Sequence, residues 1–280
     1  MSGFSELAAA DAYCRLLARR HYENFEVASW LLPGQLRRHL ARLYAYCRMT
    51  DDLGDESGDE ARARLHRWRE EVGGLFRGEP PVHPVLVALR DSVERFQLPA
   101  QPFTDLIEAN LQDQEVTSYE SWPDLEAYCM RSAAPVGRVV LRLFGLADPM
   151  AERWSDDVCI GLQLANFAQD VAVDATKGRC YLIRPEVDRL GVAGAVRAHC
   201  ERARALLASG RELERVAPGR LRLQLALYRL GGLAICDAIA RVGYRTDRVR
   251  PRVSLPVKAG LVLEAVRPGG GRHARGVGAT

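Results

Sequence analysis

Apolar side chains recur at three- and four-residue intervals along most of this 280-residue chain, with glycine and proline between the segments. In the first segment, Leu7, Ala10, Cys14 and Leu17 would share one helix face. No alternating pattern of useful length indicates a strand. The periodicity predicts helices over residues 6–31, 35–53, 59–77, 84–96, 103–116, 124–144, 149–174, 194–209, 218–242 and 255–266.

A proline inside one helical segment and the absence of a linker bear on the predicted fold. Pro135 falls inside the helical segment 124–144, where a proline should kink the helix at a cost of roughly 3 kcal/mol. No linker divides the remaining segments, so residues 1–267 are predicted to form one all-α domain. The glycine-rich residues 268–280 are expected to form a disordered tail.

Composition narrows the class of protein. A hydrophobic share of 48% is ample for a core, and a net charge of +3 gives no electrostatic argument for nucleic acid. The seven cysteines stand singly without a zinc-ligand spacing, which is typical of a reducing compartment. The sequence shows neither a signal-peptide pattern nor an apolar run of membrane-spanning length, so a soluble cytoplasmic protein is expected.

Two acidic motifs carry the candidate chemistry. Asp51 and Asp55 form one Asp-x-x-x-Asp spacing, with Asp52 beside them, and Asp170 and Asp174 repeat it downstream. Residues four apart lie on one helix face, so two facing helices would form an acidic cage. All-oxygen ligands favour Mg²⁺ or Mn²⁺, and Mg²⁺ commonly bridges to substrate phosphates.

Polar neighbours of the two motifs extend this interpretation. Gln163 and Asn166 share the helical face of Asp170 and Asp174 on an otherwise apolar segment. The first motif lies near a predicted helix C-terminus, where the helix dipole disfavours negative charge unless something positive is close. The remaining positive charge for a diphosphate could come from Arg48, Lys177 and Arg179.

Each of these features also has a purely structural interpretation. The first motif alone could be a solvated acidic turn, and the second an exposed helix face. Tyr128 could simply pack in the core, and His21 is more often a capping or buried residue than a metal ligand. The identical spacing of the two motifs, with two amides in phase, favours a divalent-metal site.

These motifs resemble, in order, those of the squalene and phytoene synthase family of class I isoprenoid enzymes. The matching segments are Leu31–Pro33, Tyr44-Ala-Tyr-Cys-Arg48 with the first acidic motif, Tyr128-Cys129, Val136-Gly137, and Gln163-x-x-Asn166-x-x-Gln169-Asp170-x-x-x-Asp174. The resemblance implies one helical bundle around an apolar cavity, with the aspartate motifs facing each other at its mouth.

The resemblance also implies roles for individual residues. Mg²⁺ would be held by Asp51, Asp55, Asn166, Asp170 and Asp174. The catalytic set would comprise these four aspartates with Asp52 and Tyr128, the tyrosine lying beside the reacting carbons. Prenyl diphosphate would be contacted by His21, Phe25, Tyr44, Arg48, Gln163, Asn166, Lys177 and Arg179.

Departures from the family pattern indicate a subfamily. Tyr22-Glu-Asn-Phe25 stands where many members have Ser-Lys-Ser-Phe, and Gln169 stands where an arginine is common. Ser132-Ala-Ala-Pro135 also replaces the usual Val-Ala-Gly after Tyr128-Cys129. These residues are similar to those of the bacterial hopanoid-cluster subfamily that converts presqualene diphosphate and water to hydroxysqualene and diphosphate.

The subfamily resemblance implies partners and leaves alternatives. A presqualene diphosphate synthase would act before this protein and a flavin-dependent reductase after it, and no NADPH is expected. Because substrate and product would be lipids, peripheral contact with the inner face of the cell membrane is a further expectation. The alternatives are a presqualene diphosphate or squalene synthase that condenses farnesyl diphosphate, a phytoene synthase, and a non-catalytic relative.

Overall fold

A computed structural model describes residues 2–20, 33–56 and 58–266. In these residues thirteen α-helices follow one another: α1 Ser2–Arg20, α2 Gly34–Asp55, α3 Ala61–Phe76, α4 Pro84–Phe96, α5 Gln101–Gln112, α6 Trp122–Ser132, α7 Ala134–Leu143, α8 Pro149–Gln169, α9 Val171–Thr176, α10 Arg184–Ala208, α11 Gly210–Val216, α12 Gly219–Arg241 and α13 Leu255–Val266. A short 3-10 helix, Gly58–Glu60, precedes α3. Two short strands, β1 Ser118–Tyr119 and β2 Cys180–Ile183, pair in parallel. The predicted all-α fold is confirmed.

Helix boundaries follow local sequence signals. Proline at the first turn of α4 and serine or aspartate caps at α6 and α8 begin these helices near the predicted positions. The Ser121 hydroxyl accepts a hydrogen bond from the Asp124 amide, and Asp148 accepts from the amides of Met150 and Ala151. The predicted helix over 124–144 is interrupted at Ala133, two residues before Pro135, which separates α6 from α7.

The structure differs from the predicted elements at four places. The two strands were not predicted, because two and four residues are too short to show alternation. The helix predicted to begin at residue 194 begins at Arg184, and only Gly191, with φ 69°, leaves helical geometry. α11 was not predicted. The predicted helix over 149–174 divides at Asp170, whose φ of −103° and ψ of 17° separate α8 from α9.

The core consists of two apolar clusters, and α5, α8 and α12 contribute residues to both. The first cluster is otherwise formed by α1 to α4, α7 and α11, and the second by the two strands with α6 and α10. α8 packs against α7, α10 and α12. α2, which carries the first acidic motif, and α8, which ends at the second, both have buried residues in this core, whereas α9 has none.

Gly161 on α8 permits the close crossing with α10. A Cβ atom there would lie 2.9 Å from Cγ of Leu207 and 3.0 Å from the carbonyl oxygen of Ala203. We expect Gly161→Ala to lower the free energy of unfolding by about 1–2 kcal/mol, because overpacking outweighs the gain in helix propensity. Denaturant unfolding would measure this loss.

Gly231 on α12 is the matched control for this prediction. A Cβ atom at Gly231 would meet nothing within 4 Å. Gly231→Ala is therefore expected to raise the free energy of unfolding by about 0.5–1 kcal/mol. Equal effects of the two substitutions would contradict the role given to the α8 and α10 crossing.

A buried charge network joins α1, α2 and α4 behind the first motif. Arg42 is fully buried and donates to both carboxylate oxygens of Asp11, at 2.7 and 3.1 Å, and to Asp91 at 2.5 Å. His39 lies beside it, with its Nδ1 2.8 Å from the Ser92 hydroxyl and 3.2 Å from Nη1 of Arg42. Since Arg42 can only donate, Nδ1 of His39 accepts, and the imidazole is neutral.

This network predicts acid sensitivity. Burial, reinforced by Arg42, lowers the pKa of His39 from 6.5 to about 4. The unfolded chain therefore takes up this proton first, and stability is intact above pH 6.5 and falls as the pH drops toward 4. The expected loss between pH 7 and pH 5 is about 2 kcal/mol. Unfolding of the parent and of His39→Gln at both pH values would measure it, and an unchanged pH dependence in the variant would contradict it.

Within residues 2–20, 33–56 and 58–266, one helix is long and apolar enough to cross a membrane by length and composition alone. It is α12, and 56% of its most apolar window is buried inside the protein. A core helix of a soluble protein passes the same criterion. All seven cysteines are free, and four of them (Cys14, Cys129, Cys200 and Cys236) are buried as small apolar side chains.

Candidate active site

The first acidic motif occupies the last turn of α2, which ends at Asp55. Gly54 is buried against α5, where a Cβ atom would lie 2.7 Å from Oδ1 of Asn110. Glycine thus lets α5 approach, and the Asn110 amide donates to Oδ1 of Asp51 at 3.3 Å. Asp52 turns instead to Arg48, whose Nη2 lies 2.5 Å from its Oδ1.

The second acidic motif straddles the break between α8 and α9. Asp170 is the C-cap residue of α8 and the N-cap residue of α9, and Asp174 lies in the first turn of α9. The Asp174 amide still donates to the Asp170 carbonyl at 2.8 Å, so the two side chains remain about one turn apart. The predicted pairing of these carboxylates does not need a continuous helix.

Basic side chains bring the two motifs together. Lys177 and Arg179, which follow the second motif, reach Asp55 of the first, with Nζ 2.8 Å from Oδ2 and Nη1 2.7 Å from Oδ1. Burial alone would raise the pKa of Asp55, but these two hydrogen bonds outweigh it and lower the pKa below its usual value. The motifs therefore face each other across a charged contact.

Asp170 has a basic partner of its own. Arg250, in the segment between α12 and α13, donates through Nε at 2.5 Å and Nη2 at 3.1 Å to the two oxygens of Asp170. The neighbouring Gln169 is buried and donates to the Pro251 carbonyl at 2.7 Å. Gln169, which stands where an arginine is common in the family, thus links the C-terminal end of α8 to the segment that carries Arg250.

Two carboxylates of the motifs form no ion pair with the described residues. Burial, with the nearby charge of Asp55, raises the pKa of Asp51 to about 6, although the hydrogen bond from Asn110 opposes the rise. Asp51 is nevertheless exposed to solvent, so a cation could reach its carboxylate. Burial and repulsion from Asp170 raise the pKa of Asp174 to about 6 as well.

This donor set suits Mg²⁺ in its chemistry but is not a ready-made cage. No group of three or more His, Cys, Asp or Glu side chains within residues 2–20, 33–56 and 58–266 is arranged to hold a metal. The ligands would be oxygen atoms, and the two carboxylates with raised pKa values gain most from a cation. Asp55 and Asp170 would first have to exchange their basic partners for the metal.

An aromatic cluster adjoins the acidic site, and Asp113 at the end of α5 joins the two. The hydroxyls of Tyr128 and Tyr181 donate to the two oxygens of Asp113 at 2.7 and 3.1 Å. Tyr128 and Phe167 pack beside Tyr181, whose ring stacks on Phe167 with centroids 4.0 Å apart. Burial raises the pKa of Asp113 in spite of these hydrogen bonds. Tyr128 is thus buried in the core, with its hydroxyl directed toward Asp113.

The other predicted substrate ligands are placed unevenly. Tyr44 is half-buried, and burial raises its pKa. Gln163 is half-buried and Asn166 exposed. His21 and Phe25, together with the remainder of the 22–25 segment, lie outside the described residues, as does the tail from 268 to 280.

The structure adds residues that the sequence interpretation missed. Asn110 of α5 and Asp113, its C-cap residue, lie on one helical face, so their three-residue spacing was an available signal. Tyr181 lies on the short β2, two residues after Arg179. Arg250 stands between two helices, where no local pattern indicates that it reaches Asp170.

A distinct pocket of about 460 Å³ lies elsewhere on the surface. Its lining includes Glu71 and Glu79 and the proline-rich loop before α4, and none of the predicted site residues. The candidate chemistry therefore rests on the facing acidic motifs and not on this pocket.

A helical bundle in which two Asp-x-x-x-Asp segments meet beside basic and aromatic side chains is the arrangement of class I isoprenoid synthases. The sequence profile of squalene/phytoene synthases matches residues 18–257. The chain therefore belongs to the squalene/phytoene synthase family.

Individual relatives agree with this assignment. The crystal structure of squalene synthase HpnC from Alicyclobacillus acidocaldarius is 42% identical, with a TM-score of 0.80 over 86% of this chain and 96% of that one. The phytoene synthase of Arthrospira platensis is 33% identical over 62% of this chain and 61% of its own length. The presqualene diphosphate synthase of Rhodopseudomonas palustris is 32% identical over 60% of this chain and 61% of its own. The chain thus matches about three fifths of the length of these two curated relatives.

Proposed function

We propose that this protein is a Mg²⁺-dependent hydroxysqualene synthase that converts presqualene diphosphate and water to hydroxysqualene and diphosphate. The observation that supports a place among squalene-forming enzymes is the 42% identity to squalene synthase HpnC over most of the chain. The choice of hydroxysqualene as the product rests on the departures from the family pattern at residues 22–25. The absence of the Ser-Lys-Ser pattern at residues 22–24 supports it, because a hydrolase holds one diphosphate where a condensing enzyme holds two.

In the proposed reaction, the carbon to oxygen bond to diphosphate breaks and diphosphate leaves with the electron pair. Bound Mg²⁺ would neutralise charge that develops on the leaving oxygens. Asp51, Asp55, Asp170 and Asp174, with Asn166, would hold the metal. Lys177, Arg179 and Arg250, released from their carboxylates, would then be free to turn toward the diphosphate.

The carbocation needs a dry pocket with electron-rich faces. The rings of Tyr128, Phe167 and Tyr181 supply such faces next to the acidic site. A water molecule would add to the cation, and its proton would pass to diphosphate or solvent. Since no hydride is used, no NADPH is needed, and a separate flavin-dependent reductase would act on the product.

The presqualene diphosphate would come from a separate presqualene diphosphate synthase, and the reaction would take place in the cytoplasm.

A second candidate function is condensation of two prenyl diphosphates, which the similarity to the phytoene and presqualene diphosphate synthases favours.

Product analysis separates these candidates. The purified protein would be incubated with presqualene diphosphate or with farnesyl diphosphate, each with Mg²⁺, with EDTA and with added NADPH, and products would be identified by mass spectrometry. We expect hydroxysqualene from presqualene diphosphate only when Mg²⁺ is present. Comparable consumption of farnesyl diphosphate would indicate a condensing enzyme, and squalene formed with NADPH would indicate a reductive one.

A further inference from the structure

The last described helix, α13, is apolar on the side that faces away from the protein. Leu255, Ala259, Leu263 and Val266 share one face, which we call the apolar stripe. Leu255 is 79% exposed, Leu263 67% and Val266 60%, and none of the twelve residues of α13 is buried. The opposite face is half-buried where the helix packs on α12. An aliphatic stripe of this exposure on a helix that packs against α12 is a mark of an interaction surface.

The charge around this helix is strongly one-sided. From Arg241 to the C-terminal residue the sequence has nine Lys or Arg and two Asp or Glu, whereas the preceding residues have 30 and 34. The excess positive charge of the whole chain therefore lies in this last part. Arg248, with a side chain 73% exposed, and the exposed Arg252 precede α13 directly.

We propose that the apolar stripe of α13 and the basic side chains that precede it dock this protein on the surface of an anionic lipid bilayer. Aliphatic side chains enter the boundary between headgroups and acyl chains, and flanking Lys and Arg pair with acidic headgroups. A second copy of the chain fits less well, because a symmetric contact would bring two basic segments together.

The docking surface lies close to the acidic site. Leu255 follows Arg250 by five residues, which span at most about 18 Å. Arg250 holds Asp170, and Pro251 accepts from Gln169, so the start of this segment is fixed to the end of α8. A docked α13 would thus put the acidic site near the bilayer. If the proposed function holds, a lipid diphosphate would enter the site from the membrane; docking itself does not depend on that function.

Vesicle flotation of the full chain tests the proposal without turnover. One set of vesicles is phosphatidylcholine alone, and the other contains about one third phosphatidylglycerol. We expect binding to the anionic vesicles that weakens as salt is raised. The double variant Leu255→Gln/Leu263→Gln should bind at least about tenfold more weakly. Arg248→Gln/Arg252→Gln should lose most of the preference for anionic vesicles.

Val82→Gln/Leu190→Gln is the matched control, since it removes two aliphatic side chains that are 90% and 46% exposed on other parts of the surface. It should bind as the parent does. Circular dichroism and size-exclusion chromatography would accompany each variant. The proposal is overturned if the parent fails to bind anionic vesicles, or if the α13 variant binds as tightly as the control. A parent dimer that the α13 variant converts to monomer, without vesicle binding, would also overturn it.

Discussion

Asp174→Asn is expected to reduce Mg²⁺-dependent diphosphate release by at least about 10³-fold, equivalent to ~4 kcal/mol of transition-state stabilisation. Asp174 forms no ion pair with the described residues, and burial and Asp170 raise its pKa to about 6. A bound cation would therefore stabilise the ionised carboxylate of Asp174 more than the carboxylates of Asp55 and Asp170, which already have basic partners. The same substitution at Asp170 would also break the contact with Arg250 and give a less direct test.

A stability measurement separates this metal role from a structural one. Replacing a partly buried carboxylate that is repelled by a neighbour should leave the protein without Mg²⁺ at least as stable as the parent. Mg²⁺ with inorganic diphosphate should raise the melting temperature of the parent but not of Asp174→Asn. Asp188→Asn, an exposed change on α10, is the control and should behave as the parent. Full activity in Asp174→Asn would remove Asp174 from the proposed metal site.

The helical fold was predictable because its signals are local. The apolar spacing of α4 and the proline at its start give its limits directly, and those of α12 are close to prediction. The break at Asp170 was not visible, since the residues after it keep helical spacing. The strands were invisible for another reason: their pairing joins Ser118 to Cys180, and pairing between distant residues leaves no periodicity in segments this short.

Some residues of the candidate site were likewise predictable from local sequence signals, and others were not. The two motifs were recognisable by their repeated spacing. Lys177 and Arg179 were predicted as positive charge for a diphosphate, and the structure shows them paired with Asp55, a contact that the sequence did not indicate. Arg250 reaches Asp170 across 80 residues of sequence, a contact set by tertiary packing alone. Asp113 could have been recognised, because its spacing from Asn110 places both side chains on one helical face.

Replacing Arg179 tests whether these basic side chains serve the reaction as well as the fold. Arg179 is mostly buried, and its Nη1 lies 2.7 Å from Oδ1 of Asp55. In Arg179→Gln we expect kcat/KM to fall about 100-fold, because the variant lacks the guanidinium that would turn from Asp55 toward the leaving diphosphate. Arg179→Lys should recover part of the activity, since it keeps the charge but not the planar donors.

The controls decide between a role in the reaction and a role in packing. Arg184→Gln removes a guanidinium that is 64% exposed and pairs with the exposed Glu120, so activity and stability should change little. Arg179→Gln should also weaken the binding of inorganic diphosphate in the presence of Mg²⁺, measured by calorimetry, whereas loss of packing alone would lower the melting temperature and leave this affinity unchanged. A variant with normal diphosphate affinity and normal kcat/KM would show that Arg179 only joins the two motifs. In the parent, Arg179 holds Asp55 and so competes with Mg²⁺ for this carboxylate. If Asp55 exchanges Arg179 for the metal during the reaction, Arg179→Gln should bind diphosphate more weakly and Mg²⁺ more tightly than the parent.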